Sequence, residues 1–291
     1  MAKRSKNEKQ APNIIVFLVE GESDKIALEV PLSNMIDDKY PEYQVRFLLQ
    51  EKLVDNSGDE VEDLVEDEEY EYDDGNYIDE PEYTYGGDVT SSPYVTPYKI
   101  ETKITNRFIK PAERREGIYP KKIAKIIQIV DMDGVYIPDE CVVPYSEERQ
   151  GRENLFYDGE NGTIETADVP GTVSRNVRKV QNLEYLLNLP DGMIKIKTKR
   201  IPYEIYYFSS NLDHFINNDA NVEGSKKYLA DRFMRSYGLD TDEFAKYFLE
   251  DEGAVGHMGY EESWKFIKEN SNSVRRFTNI DCLIRRLIND D

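Results

Sequence analysis

Two stretches of the chain are almost wholly apolar and then stop abruptly in acid and glycine. Ile14-Ile15-Val16-Phe17-Leu18-Val19 runs into Glu20-Gly21, and Ile126-Ile127-Gln128-Ile129-Val130 runs into Asp131-Met132-Asp133-Gly134. Runs of this length, rich in β-branched residues, predict strands buried on both faces of a parallel sheet. The first strand covers 13–20. A helix follows from Glu22 to about Ile36, where Pro31 is expected to break or kink it. A second strand falls at 44–49, with Val45, Phe47 and Leu49 alternating with Gln44, Arg46 and Leu48. Partial alternation predicts a strand at 99–104, and 121–130 reads as a short helix leading into the second buried strand. Residues 134–172, rich in Gly, Pro, Asn and Asp, read as one long loop. Apolar spacing predicts a helix over 172–189, with Val173, Val177, Val180, Leu183, Leu186 and Leu187 on its packing face. Residues 193–200 alternate apolar with basic, and 203–208 form another core strand ending in Ser209-Ser210-Asn211-Leu212-Asp213-His214. Helices are expected at 224–237, 241–249, 260–270 and 279–289, with Thr241 and Asp242 capping the second.

These elements define an α/β class: a mostly parallel sheet flanked by helices, with an insertion and a helical C-terminal part. The expected division is a basic tail at 1–12, a domain at 13–218 and a helical region at 219–291. The insertion is 51–98, acidic and rich in tyrosine. Composition changes the picture chiefly there. The 291 residues carry a net charge of −21, yet residues 51–90 hold 17 acids and one basic residue, Lys52. The rest of the chain has 36 basic and 41 acidic residues, so its acidity does not exclude a nucleic-acid partner. Such acid density argues for a flexible or loosely docked segment. That segment reads as an inert solvated loop, a nucleic-acid mimic covering a basic groove, or a lure for a basic partner. Two cysteines, Cys141 and Cys282, allow no all-cysteine zinc site and fit a reducing compartment. No apolar run approaches the ~20 residues of a membrane span, and the basic start lacks the apolar core of a signal peptide. A cytoplasmic protein is expected.

The carboxyl ends of parallel strands open onto the ligand crevice. Three carboxylates delivered there, from Glu20, Asp131 and Asp133, repel one another unless a cation joins them. All-oxygen ligands suit Mg²⁺ or Mn²⁺. Asp131 and Asp133, two apart on an extended segment, are expected to share a face and grip one ion. Glu20 is open to two jobs, metal ligand or general acid–base. Asp24, one helical turn on, is placed to join a second ion, and two ions ~4 Å apart would clamp both oxygens of a phosphodiester in displacement.

The residues Val19-Glu20-Gly21-Glu22-Ser23-Asp24-Lys25, followed by Val130-Asp131-Met132-Asp133, resemble the signature of a Toprim domain. The Glu20–Asp24 spacing is also similar to OLD-type (overcoming lysogenization defect) nucleases. The resemblance covers roughly 13–50 and 120–218. It implies a Toprim-like sheet, Mg²⁺ or Mn²⁺ as cofactor, and Glu20, Asp131 and Asp133 as catalytic residues. It further implies an acidic ligand after the last strand: Asp213, with Asn211 competing for the place. A late lysine, Lys265 or Lys268, would lie near the scissile phosphate. Lacking primase-type zinc cysteines and the long gating domains of topoisomerases, the chain is expected to be a nuclease acting on DNA or RNA. An effector role in anti-phage or abortive-infection defence, held in check by a protein partner such as an ATPase, is what similar stand-alone proteins suggest. Two rivals stand beside it: a non-catalytic Toprim module, and an acidic nucleic-acid mimic that binds basic proteins.

A nuclease needs cations for phosphate. The expected nucleic-acid contacts are Lys195, Lys197, Lys199 and Arg200 with Lys121 and Lys122. Further groups are Arg114 with Arg115, Lys125, and Arg175, Arg178 and Lys179 on the long helix. His214, His257 and Trp264 are expected to pack rather than react.

Overall fold

The computed structural model describes residues 11–54, 82–152 and 154–289. The tail at 1–10 and the centre of the insertion lie outside them. Four parallel strands form the middle of the molecule in the order β2-β1-β5-β10. They are β1 (Ile14–Val19), β2 (Gln44–Leu49), β5 (Ile123–Asp131) and β10 (Lys199–Phe208). β9 (Met193–Ile196) pairs antiparallel with the first half of β10. Beyond it the edge of β10 is taken by the stretch 275–279, through Ser209 N donating to Phe277 O and Thr278 bridging Phe208.

Both faces of this sheet are covered, which is why its strands read as continuous apolar runs. On one face Ile15, Phe17, Val19, Ile127 and Ile129 pack against α1 (Glu22–Lys39), α6 (Lys226–Phe233), α7 (Thr241–Glu250) and α9 (Ile280–Ile288). On the other, Val16, Leu18, Ile126 and Val130 pack against Leu183 and Leu186 of α4 (Val169–Leu187) and Trp264 and Ile267 of α8 (Tyr260–Ile267). The C-terminal helices thus share both cores of the sheet. Asp240, not Thr241, caps α7, accepting from the amides of Asp242 and Glu243.

Several expectations change. Pro31 does not end α1; it sits buried mid-helix, against Gly238. The stretch 99–104 is no strand: α2 (Ile100–Ile104) continues through a π-helical turn at 105–109 into α3 (Lys110–Glu116). Ile100, Ile104 and Phe108 recur every four residues, a helical period that outweighs the partial alternation. The stretch 134–172 is not a bare loop. β6 (Val142–Pro144), β7 (Phe156–Asp158) and β8 (Thr163–Thr166) form a small sheet over Ile137, Val142, Ile164 and Val274. Strands of three or four residues between turns are too short to show a period.

The flanks of the insertion are also built in. β3 (Glu51–Val54) and β4 (Glu82–Tyr85) pair as an antiparallel stem, with Val54 opposite Glu82. After the stem, Gly86 N donates to Gln50 O (2.9 Å) and Gly87 N to Glu20 O (2.6 Å). Both glycines have positive φ, near 95°, which side-chain-bearing residues rarely adopt. This turn lays 86–88 across the carboxyl end of β1, and Val89 and Val95 then enter the core.

Candidate metal centre

The carboxyl edge gathers six acids, delivered by five different pieces of chain. Glu20 follows β1, and its Oε1 accepts from the Asp131 backbone N (3.0 Å) across the β1–β5 junction. Asp131 ends β5. Asp133 lies past the strand end, held by donation of Met132 N to Phe208 O (2.7 Å) and Asp133 N to Ser210 O (2.9 Å). Asp133 has φ +50° and Gly134 +69°, so the segment is turned rather than extended. The two aspartates therefore do not share a face, contrary to the strand-based expectation, and they diverge into two clusters.

In the first cluster one oxygen each from Glu20, Asp88 and Asp133 lie within 4.8 Å of one another. Asp88 comes from the return of the acidic insertion and was hidden among its neighbours in sequence. Lys179 Nζ stands among them, 2.7 Å from Asp88 Oδ2, 2.9 Å from Asp133 Oδ2 and 3.6 Å from Glu20 Oε1, and it also donates to Asp131 O. Its side chain is 0% exposed. Asp133 receives more: the Tyr157 hydroxyl donates to its Oδ1 (3.0 Å), and Arg175 Nη2 to its carbonyl (3.1 Å). Burial works against the charge of Asp133, but Lys179 and Arg175 hold its carboxyl below the ordinary value. Burial likewise opposes the Lys179 charge, and Asp133, Asp88 and Glu20 outweigh it, holding the ammonium well above an ordinary lysine. Glu20, the carboxylate farthest from Lys179, is pushed well up by burial and by Asp88.

The second cluster is Asp24, Asp131 and Asp213. Asp24 Oδ2 accepts from Gly21 N (2.7 Å) at the start of α1. Asp131 Oδ1 accepts from Leu212 N (3.0 Å), the first residue of α5 (Leu212–Asn217). Asn211 is that helix's cap, accepting from His214 N, which leaves Asp213 as the carboxylate at the site. Asp213 is 3% exposed and pairs with Lys226 Nζ at 3.2 Å. Burial, with Asp213 nearby, raises Asp24 to about 6. Burial, with Asp24 and Asp133 nearby, raises Asp131 well above its ordinary range. Carboxylates that resist ionisation because they are buried, and secondarily because they face one another, are a donor set that a hard cation relieves. By that chemistry the second cluster suits Mg²⁺ or Mn²⁺, although an ammonium stands here too, Lys226 Nζ 3.2 Å from Asp213 Oδ2, and among the described residues it is the first cluster whose oxygens lie within 4.8 Å of one another. In the first, an ammonium already stands between the oxygens.

Of the basic residues expected to hold nucleic acid, Arg175 and Lys179 are at this edge, engaged with Asp133, while most of the others lie elsewhere or are already paired. Lys121 and Lys122 precede β5, and Lys199 and Arg200 open β10. Parallel strands place these at the amino edge, a strand length of about 30 Å from Asp131. There Lys197 pairs with Glu113, Arg200 with Asp191, and Lys199 Nζ donates to Ile123 O, while Lys195 N donates to Glu101. Lys265 and Lys268 pair with Glu262 and Glu184. Arg114 and Arg115 pair with Glu51.

Lys179, which the sequence groups with the surface cations of its helix, is wholly buried. The buried face of α4 is Thr172, Asn176, Lys179, Leu183 and Leu186, while Val177 is 46% exposed. The upper half of that stripe is polar, which in sequence resembles a solvent-facing side. His214 is half-buried, held by burial at about 4 and bonded to Ser210 Oγ, so it is neutral at pH 7. Comparison with family models, curated proteins and solved structures found no match. Among the described residues no helix is long and apolar enough to cross a membrane.

Proposed function

We propose that this chain is a divalent-cation-dependent hydrolase of phosphodiester bonds, with a Toprim-like site, acting on DNA or RNA. The observation that carries the reading is the meeting of Glu20, Asp24, Asp131, Asp133 and Asp213 at one sheet edge. Residues up to 193 positions apart in sequence are brought there, joined by the 3.0 Å bond from Asp131 N to Glu20. Asp24, Asp131 and Asp213 would hold a Mg²⁺ or Mn²⁺ ion. When bound, such an ion polarises a phosphoryl oxygen and lowers the pKa of water.

The chain's own groups supply the rest. Glu20 keeps its proton to a higher pH than an ordinary carboxyl, so it is suited to hand a proton to a leaving oxygen. Lys226 and Lys227, 52% and 62% exposed and next to the acids, are placed to meet phosphate. They take the role first assigned to the lysines of the amino edge. The small sheet at 142–166 orients Asp133 through Tyr157. An effector role in anti-phage defence, with a restraining protein partner, extends the same reading to biology.

Purified protein incubated with single- and double-stranded DNA and RNA is expected to cut one of them in Mn²⁺ and not in EDTA. Glu20→Gln should lower the rate by at least about a hundredfold. Phage plating on cells carrying the wild type or Glu20→Gln tests the biological half. The rival of a non-catalytic module draws on one observation, the complete engagement of Lys179 by the first cluster. Wild-type protein silent on all four substrates would favour it.

A further inference from the structure

The three N–H groups of a lysine ammonium satisfy three acceptors. Lys179 hydrogen-bonds two, the Asp131 carbonyl and Asp133 Oδ2 at 2.9 Å, and ion-pairs with a third, Asp88 Oδ2 at 2.7 Å, an oxygen that has no hydrogen-bond donor of its own among the described residues. Its side chain is wholly buried on α4, between Asn176 and Asn182, themselves buried. Asn182 Nδ2 donates to Thr90 O (2.7 Å) and Val95 O (3.2 Å), tying α4 to the stretch that carries Asp88. Lys179 is therefore enclosed between its own helix and the 86–95 segment, out of reach of water. A Mg²⁺ ion needs its oxygens at about 2.1 Å. Any ion sharing the Glu20, Asp88 and Asp133 oxygens would stand against this ammonium, two cations contending for one cradle.

We infer that Lys179 is the resident cation of the Glu20–Asp88–Asp133 cluster and closes it to divalent ions. Resting on the hydrolase reading above, this leaves one ion per chain, on Asp24, Asp131 and Asp213, in place of the two suggested by the carboxylates alone. Lys179 is then a positioning residue. It fixes the Asp131 carbonyl and Asp133 together, and so aims the Asp131 carboxylate at the second cluster. Asp88 serves the same end from the insertion side, and Glu20 is left clear of metal for proton transfer.

The test is Mn²⁺ binding to the full chain, by calorimetry and by electron paramagnetic resonance of free Mn²⁺. Wild type is expected to bind one ion. Asp88→Asn should leave that ion in place, whereas Asp213→Asn should weaken it by at least about tenfold. Lys179→Met should admit a second ion. Should Lys179→Met not fold, the contrast between Asp88→Asn and Asp213→Asn decides alone. Two ions in the wild type, or one ion lost in Asp88→Asn and kept in Asp213→Asn, overturns the inference and leaves the hydrolase reading standing. No ion in the wild type but one in Lys179→Met removes the hydrolase reading and supports the closure by Lys179. No ion in either overturns both.

Discussion

Asp24 concentrates the electrostatics of the site in one side chain. Its carboxyl rises from the ordinary 3.8 to about 6 because it is buried and faces Asp213. A carboxyl raised in the folded state adds stability that is fully present below about pH 4 and is lost as pH climbs through about 6. Asp24→Asn should therefore stabilise the protein at pH 7.5 in EDTA, by at most about 3 kcal/mol, with a melting temperature a few degrees higher. The gain should vanish at pH 4. Added Mn²⁺ should stabilise the wild type and not the variant, since the ion uses the repulsion that Asn removes. Thermal melts at the two pH values, with and without Mn²⁺, check this; a variant less stable at pH 7.5 in EDTA would sink it. Gly134 makes the other residue-scale case. Its φ is +69°, and a Cβ there would collide with Val274 Cγ1 and stand 2.8 Å from Ile164 Cδ1. Gly134→Ala should cost about 2–3 kcal/mol in denaturant melts and should dislodge Asp133, its neighbour. Glu20, Asp131 and Asp24 were legible in sequence because a strand that ends in acid is a local pattern. Asp88 and Lys179 were not, because only the partner across space distinguishes them from other surface charges.

Whole elements decide which cations face the acids. β5 and β10 run parallel, so residues before them sit at one edge and residues after them at the other. Lys226→Ala, at the start of α6, should weaken binding of a short oligonucleotide and flatten its salt dependence. The pair Lys195→Ala and Lys197→Ala should leave both nearly unchanged; fluorescence polarisation at two salt concentrations separates the cases, and equal losses would return the amino-edge lysines to the interface. The C-terminal helices are equally tied to the sheet. Phe248 of α7 is 0% exposed, stacks on Phe215 at 5.3 Å and meets Phe208 of β10 at 6.4 Å. Phe248→Ala should cost about 3–5 kcal/mol and lower a single cooperative transition instead of splitting off a C-terminal one. Helices over 224–289 were readable from their period, but nothing in that period told which face of the sheet each would cover.

For the whole molecule, the acid-rich segment 55–81 carries 14 of the 58 acids and no basic residue. The residues that flank it, Val54 and Glu82, are paired with one another, a span that an Asn-Gly turn closes. Excising 55–81 in that way should leave the melting temperature within a few degrees while net charge falls from −21 to −7. An unchanged cleavage rate would end the idea that the segment masks the site. Removing 51–90 instead would strip Asp88 and disturb Lys179, confusing the loss of charge with the loss of the site. Sequence by itself determined the two buried strands, their acidic ends, most of the helices and the acid-rich insertion, since each is written in the spacing of neighbouring residues. Only the tertiary structure decided that Asp131 and Asp133 part company, that the basic stretch lies at the far edge, and that Asp88 and Lys179 belong to the site. The physical reason is that charge acts through distance in space. A lysine on a helix and an aspartate in an insertion are ordinary until the fold sets them 2.7 Å apart, away from water.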